Sequence, residues 1–542
     1  MFHCFSFATG PAPGIRRGSW GTQDGTAGRR SCLNAVFRAL YVAEENYEVR
    51  TRKTHTGLGG NAILRFSSGK SGHLGRTPAL CGIIGGVEAC PIAIVGVSCR
   101  FAGASDPGAF WRLIMHRESA LTPFGADLAL APGARNLFDR PYPTHGGLLG
   151  DLYACVPRDI TFPRQINAGE NQDLYFAVQL AFDALADAGL RPHASELLRG
   201  TVRFGYAPPF STSTMNWLQH TFFVDQTMEI IRRYFRNAPP EALNEVRAKL
   251  VESLPAADAA SFLSGAGHRI SGWIARECSF SGGATTLDAG ALSGIASLRA
   301  AMDDLRSGRA DIALAGALTP PLSRALLEGL SGEILFSQAS EFAPFDRDAK
   351  GTIPGEGGAF FVLKREADAL RAHDRIYALV RSCACGSSPM DAILAAAVQR
   401  AGTPLQSIQL IEGDGCGIPN LDADEVQAVQ RSWGEHRPGG PLVGIGSVKG
   451  NIGHCFRASA AAAILKTALA LRRKVLPPQI PTERPIESLA NLGSSVYILN
   501  EPRPWITGDP SSPRRAMVLM GDFSGRRAAL VLEEEPTMED RA

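Results

Sequence analysis

The chain has 542 residues, 45% of them hydrophobic, and a formal net charge of +2 with both signs scattered along its length. That is enough apolar material for one large layered α/β unit or several small domains, and too little net charge to recruit nucleic acid or an anionic membrane through a long-range field. No apolar run approaches the roughly 20 residues of a membrane span, the first residues lack the basic-then-apolar order of a secretory signal, and eleven cysteines at irregular spacings without a C-x-x-C pair read as the reduced thiols of a cytoplasmic protein.

Residues 1–89 carry eleven Lys or Arg against five Asp or Glu, many Gly and Ser, and little periodicity, which predicts a disordered basic extension, with a docking tail as the alternative. From Pro91 onward short apolar runs alternate with helical patterns, beginning with Ile92-Ala93-Ile94-Val95-Gly96-Val97. Residues 172–188 place Val178, Leu180, Ala181, Phe182 and Leu185 on one side of a helix that stops at Gly189. Residues 220–256 hold two further helical patterns, one around Ile230, Ile231, Tyr234 and Phe235, the other after Pro239-Pro240 with Leu243, Val246, Leu250 and Leu254; these read as a surface pair or part of a subunit contact. A helix over 295–306, a Ser307-Gly308 turn and a strand within 309–318 follow. Such alternation predicts the α/β class, with a parallel or mixed sheet covered by helices on both faces.

Several segments carry a more specific signal. Ile94-Val95-Gly96 leads to Cys99-Arg100-Phe101, Asp106-Pro107 and Phe110-Trp111; Ser307-Gly308 leads to Ala315-Gly316; Pro344-Phe345-Asp346-Arg347-Asp348-Ala349 precedes Gly355-Glu356-Gly357; Ser447-Val448-Lys449-Gly450-Asn451-Ile452-Gly453-His454 precedes Val475-Leu476-Pro477-Pro478. In this order they resemble the β-ketoacyl synthase (ketosynthase) family of polyketide and fatty-acid synthesis over about residues 91–534. The resemblance implies a thiolase fold: two pseudo-equivalent halves, placed at 90–366 and 367–534, in a five-layer αβαβα arrangement that is usually dimeric, with 535–542 as a tail. Ile160 to Gly189, with the long insertion that follows, is similar to the polyunsaturated-fatty-acid, enediyne and glycolipid branch.

The chemistry of that family starts from a cysteine thiolate at a helix N-terminus, which takes an acyl chain from its carrier. Here the corresponding run is Asp288-Ala289-Gly290-Ala291-Leu292-Ser293, so Ala291 replaces the nucleophile, and a methyl group has no lone pair with which to attack a thioester. Of the two histidines that polarise a malonyl thioester, the resemblance leaves His454, in the motif of Lys449, while Asp414 replaces the other. Cys416 and Ile418 stand where the family's threonines contact the phosphopantetheine arm of the acyl carrier protein, and Phe523 keeps the place of a gate-like phenylalanine. Cys278, Cys416 and Cys455 read as core thiols rather than substitute nucleophiles, and Ser293 as structural. The expectation is a protein without metal or bound cofactor, of the acyltransferase family but lacking condensing activity: a chain-length-factor-like partner of an active ketosynthase in a heterodimer, or a homodimer, working with acyl carrier protein. The alternatives are a malonyl-carrier-protein decarboxylase using His454 and a purely structural or binding homologue.

Overall fold

The computed structural model describes residues 90–153, 172–192, 199–207, 216–254, 266–434, 442–490, 494–507 and 512–535. The chain divides into Met1–Ala79 and Leu80–Ala542. The basic extension over 1–89, residues 160–171 of the branch-specific segment and residues 536–542 lie outside the described residues.

Two successive stretches of chain build the same pattern. The first runs β1 (Ile92–Phe101), α1 (Pro107–Met115), α2 (Gln172–Asp187), β2 (Gly200–Gly205), α3 (Val224–Tyr234), α4 (Pro240–Glu252), α5 (Gly267–Glu277), β3 (Ala284–Leu287), α6 (Ser293–Arg306), β4 (Ile312–Thr319) and β5 (Gly357–Arg365). The second runs β6 (Ala378–Gly386), α7 (Met390–Ala401), β7 (Ile408–Glu412), α8 (Pro419–Trp433), β8 (Val443–Gly446), α9 (Phe456–Arg473), β9 (Val496–Ile498), β10 (Arg515–Gly521) and β11 (Arg527–Glu533). In each, the opening strand lies antiparallel to the closing one, β1 to β5 and β6 to β11. The closing strand lies antiparallel to its predecessor, β5 to β4 and β11 to β10. That predecessor pairs in parallel, β4 with β2 and β10 with β7, and one more parallel partner follows, β3 and β8. The full order is β9-β8-β7-β10-β11-β6-β1-β5-β4-β2-β3, and the halves join where Ile92–Ile94 pairs antiparallel with Ala378–Val380.

The strands are apolar on both faces because both faces are covered. Ala93 and Val95 pack with α2 and α5, whereas Ile92, Ile94, Val97 and Cys99 pack toward α6 and α9. The register shift between Ile94 and Gly96 moves the inward alternation from even to odd positions along β1. On the far side α7 and α8 cover β6, β7, β10 and β11. The layers are therefore helix, sheet, buried helix, sheet, helix: a thiolase fold.

The central layer sets the position of the candidate site. All of α9 except Arg457, Arg472 and Arg473 is buried, which its alanines permit by letting two sheets close on one helix. At the crossing with α6 a Cβ on Gly294 would lie 2.7 Å from the Ala461 amide nitrogen, so the approach admits only glycine there. Lys466 within α9 is neutralised by Glu412 at 2.7 Å, both almost wholly buried. The helix over 172–188 ends as expected, at Asp187, with Gly189 left-handed, although Phe182 is only half-buried while Val178, Leu180, Ala181 and Leu185 are fully covered. The insertion is a surface pair: Tyr234 is 82% and Phe235 65% exposed, and Arg247 bridges to Asp225 at 2.7 Å.

Candidate functional site

The N-termini of α6 and α9 occupy equivalent places in the two halves, and the predicted residues gather around them. Gly290, left-handed at φ 59°, turns the chain into α6 and leaves Ala291 buried just ahead of the first helical residue. Ser293 is wholly buried; its Oγ accepts from the Ala289 N–H at 2.9 Å and donates to the Gly290 carbonyl at 2.8 Å, so it holds the turn. Arg457, in the first turn of α9, ties this turn to the second half through two 3.1 Å contacts with Asp288.

His454 sits just before α9 and is 1% exposed. Its backbone is clamped to the segment beside β5: its N–H donates to the Ile353 carbonyl at 2.7 Å, and its carbonyl accepts from Gly355 at 2.9 Å. Its Nδ1 accepts from the Phe456 N–H at 3.1 Å, so the neutral ring carries its proton on Nε2. Burial, reinforced by the Lys449 charge, holds its pKa well below the ordinary histidine value. The ring packs between Phe456 and Phe523, at centroid distances of 5.1 and 5.3 Å. The imidazole is thus a neutral, oriented donor.

Lys449 is buried and directs its ammonium at Asp414, donating to the carboxylate and, at 2.5 Å, to the Asp414 carbonyl. Burial works against the ammonium, but the Asp414 carboxylate outweighs it and raises the Lys449 pKa. The Asp414 loop therefore presents to the cavity a carboxylate whose partner lies behind it. Behind the same loop Glu425 accepts from the Asp414 N–H at 2.7 Å and the Gly415 N–H at 3.0 Å. Burial and the neighbouring Asp414 push Glu425 up to about 8, and burial pushes Asp422 up to about 6. Cys416 donates to Asp422 at 3.4 Å, and burial raises its thiol well above the ordinary value. Burial likewise pushes Cys278 up to about 12 and raises Cys455. All three are core thiols.

Asp414, Cys416, His454 and Phe523 line one cavity of about 340 Å³, whose wall also includes Asp422, Glu425 and Asp522. Lys449 stands behind Asp414. Ala291 and Ile418 do not line it: Ile418 caps α8, and Ala291 adjoins the cavity through its neighbour, since a Cβ on Gly290 would lie 3.4 Å from the Asp522 carboxylate. The roles of Glu425 and Asp522 are absent from the sequence reading. The acidic cluster Asp422-Ala423-Asp424-Glu425 is a signal for the first, because helical spacing turns Asp422 and Glu425 to one side; the second depends on a contact between distant segments and leaves no local signal.

The sequence profile of the beta-ketoacyl synthase N-terminal domain matches residues 89–369, and that of the beta-ketoacyl synthase C-terminal domain matches residues 383–483. The spectinabilin polyketide synthase system protein NorA' of Streptomyces orinoci is 29% identical over 460 residues, covering 82% of this chain and 12% of that protein. The phenolphthiocerol synthesis polyketide synthase type I Pks15/1 of Mycobacterium marinum is 26% identical over 83% of this chain and 20% of its own length. The chain thus spans a minor part of these relatives. Among solved structures, the ketosynthase from module 6 of the bacillaene synthase of Bacillus subtilis 168 superposes with a TM-score of 0.65 at 22% identity, covering 82% of this chain and 72% of that one. The PfaC keto synthase-chain length factor superposes with a TM-score of 0.66 at 24% identity over 82% of this chain and 48% of that one. With both domain profiles matched over most of the chain and the duplicated five-layer fold in place, the protein belongs to the beta-ketoacyl synthase family.

Proposed function

We propose that this chain is a non-condensing ketosynthase homologue of polyketide or fatty-acid biosynthesis, a chain-length-factor-like partner that pairs in the cytoplasm with a cysteine-bearing ketosynthase and shapes the space available to its acyl chain. The observation that carries this reading is Ala291 at the head of α6. The turn, the Ser293 bonds and the helix N-terminus are all built, yet the position they present has no nucleophile. The nearby thiols offer no replacement, since Cys416 is held by Asp422 and Cys455 is buried among backbone carbonyls. Carrier contact through a phosphopantetheine arm is correspondingly weak in this reading, with Cys416 turned to Asp422 and Ile418 serving as a helix cap.

The test is co-expression with a cysteine-bearing ketosynthase. A heterodimer on size exclusion, with product length changing when this subunit is varied, is the expected result; two separate species sink the proposal. One observation favours a second reading, decarboxylation of malonyl-carrier protein: His454 keeps its Nε2–H as a donor on a ring that lines the cavity. Against it stands Asp414, an anion where a developing enolate and the malonyl carboxylate would both be repelled.

A further inference from the structure

Outside the machinery described above, β6 carries two cysteines on its inward face. Cys383 is buried, Cys385 is half-buried, and their sulfurs are 3.6 Å apart. Strand alternation puts residues i and i+2 on the same side, so this proximity follows from the Cys383-Ala384-Cys385 spacing. The side of the pair nearer solvent is electropositive: the charges of Arg299, from α6, and of Arg526 both act on Cys385 and favour its thiolate. Beyond the strand the chain runs into Ser387, Ser388 and Pro389, which line the candidate cavity.

We propose that Cys385 is a redox modification site, oxidised by a hydroperoxide and resolved by Cys383. The Cys385 thiolate attacks the distal oxygen of the peroxide; the O–O bond breaks, hydroxide or alkoxide leaves and takes up a proton, and Cys385 becomes a sulfenic acid. The Cys383 thiol then attacks the sulfenic sulfur, water leaves, and a Cys383–Cys385 disulfide closes. The sulfur pair is oxidised by two electrons and the peroxide reduced by two. Selectivity follows from the surroundings. Burial raises the thiols of Cys99, Cys278, Cys416 and Cys455, whereas the hydrogen bond from Cys383, with Arg299 and Arg526, brings Cys385 down to about 7. Two residues along a strand put the α-carbons about 6.8 Å apart, the upper edge of what a disulfide spans, so the closed form is readily reopened by a thiol.

The experiment uses the full chain, reduced and desalted, then treated with hydrogen peroxide at neutral pH, with alkylation of the remaining thiols and peptide mass spectrometry. The expected result is a peptide holding Cys383 and Cys385 that escapes alkylation, is lighter by two hydrogens, and regains both thiols with dithiothreitol, while Cys278, Cys416 and Cys455 stay reduced. In Cys383→Ser, dimedone labels Cys385 as a sulfenic acid. Arg299→Met, at an exposed position that leaves the core alone, slows oxidation severalfold; about fifteenfold is the ceiling if the thiolate fraction fell to that of a free cysteine. Oxidation spread evenly over the cysteines, a Cys383→Ser protein with no dimedone adduct, or an unchanged rate in Arg299→Met would each overturn the proposal.

Discussion

Replacing His454 by alanine separates the two functional readings. In the folded chain the ring gives the Phe456 N–H, in the first turn of α9, its acceptor at 3.1 Å and fills the space between Phe456 and Phe523. Leaving that buried N–H unpaired costs about 1 to 3 kcal/mol, and the lost ring contacts bring the total to the upper end of this range. For a domain this large each kcal/mol lowers the midpoint by about 2 °C, so a fall of about 6 °C is expected in calorimetry. If the chain only shapes a partner's tunnel, the partner's turnover stays nearly unchanged once the heterodimer has formed. If the chain decarboxylates malonyl-carrier protein, His454 is the main donor to the enolate oxygen, and losing one such donor costs about 100- to 1000-fold in rate. Mass spectrometry of the carrier measures that rate directly. The first outcome is expected; a collapse of decarboxylation with an unchanged melting curve would refute both the stability argument and the ranking of the readings.

Two further outcomes follow from the same geometry. Ala291→Cys should fold normally and gain no carbon–carbon bond-forming activity, because the Asp414–Lys449 pair still occupies the corner that must stabilise the enolate; condensation of an acyl and a malonyl carrier by this variant would contradict that. Glu425, raised to about 8 by burial and by Asp414, keeps a proton in the folded chain that the unfolded chain releases near pH 4.3. Its contribution to stability is therefore full below about 4.3 and is lost as the pH rises to about 8. Melting midpoints of wild type and Glu425→Gln followed from about pH 6 to pH 9 should show the wild type losing more; parallel curves would exclude a protonated Glu425.

Much of the fold was legible because it rests on local pattern. The apolar run from Ile92 is β1, the helix expected from residue 295 begins two residues earlier, and the left-handed Gly308 ends its turn before β4. The change of face along β1 was not legible: the register shift near Gly96 is set by pairing with β5, which arrives more than 250 residues later. Surface character was readable in the insertion, where apolar residues such as Tyr234 and Phe235 occur without the partners that a buried helix needs.

For the site, the residue types were readable and their alliances were not. An aspartate at 414 is a fact of the sequence; that it stands where the resembled family has a histidine is what the resemblance implies, and from it comes the expectation of an anion hostile to an enolate. Only the packing shows that this anion is bound to Lys449, 35 residues away, and that the ammonium of an otherwise intact motif therefore faces Asp414. The substitution and its neighbour then act together. Reversing Asp414 alone frees a buried ammonium, whereas reversing Ala291 alone adds a thiol beside a site whose charges are already committed. If the chain is the non-condensing partner proposed above, gaining condensing chemistry therefore requires concerted change at Ala291 and Asp414, one from each half of the fold.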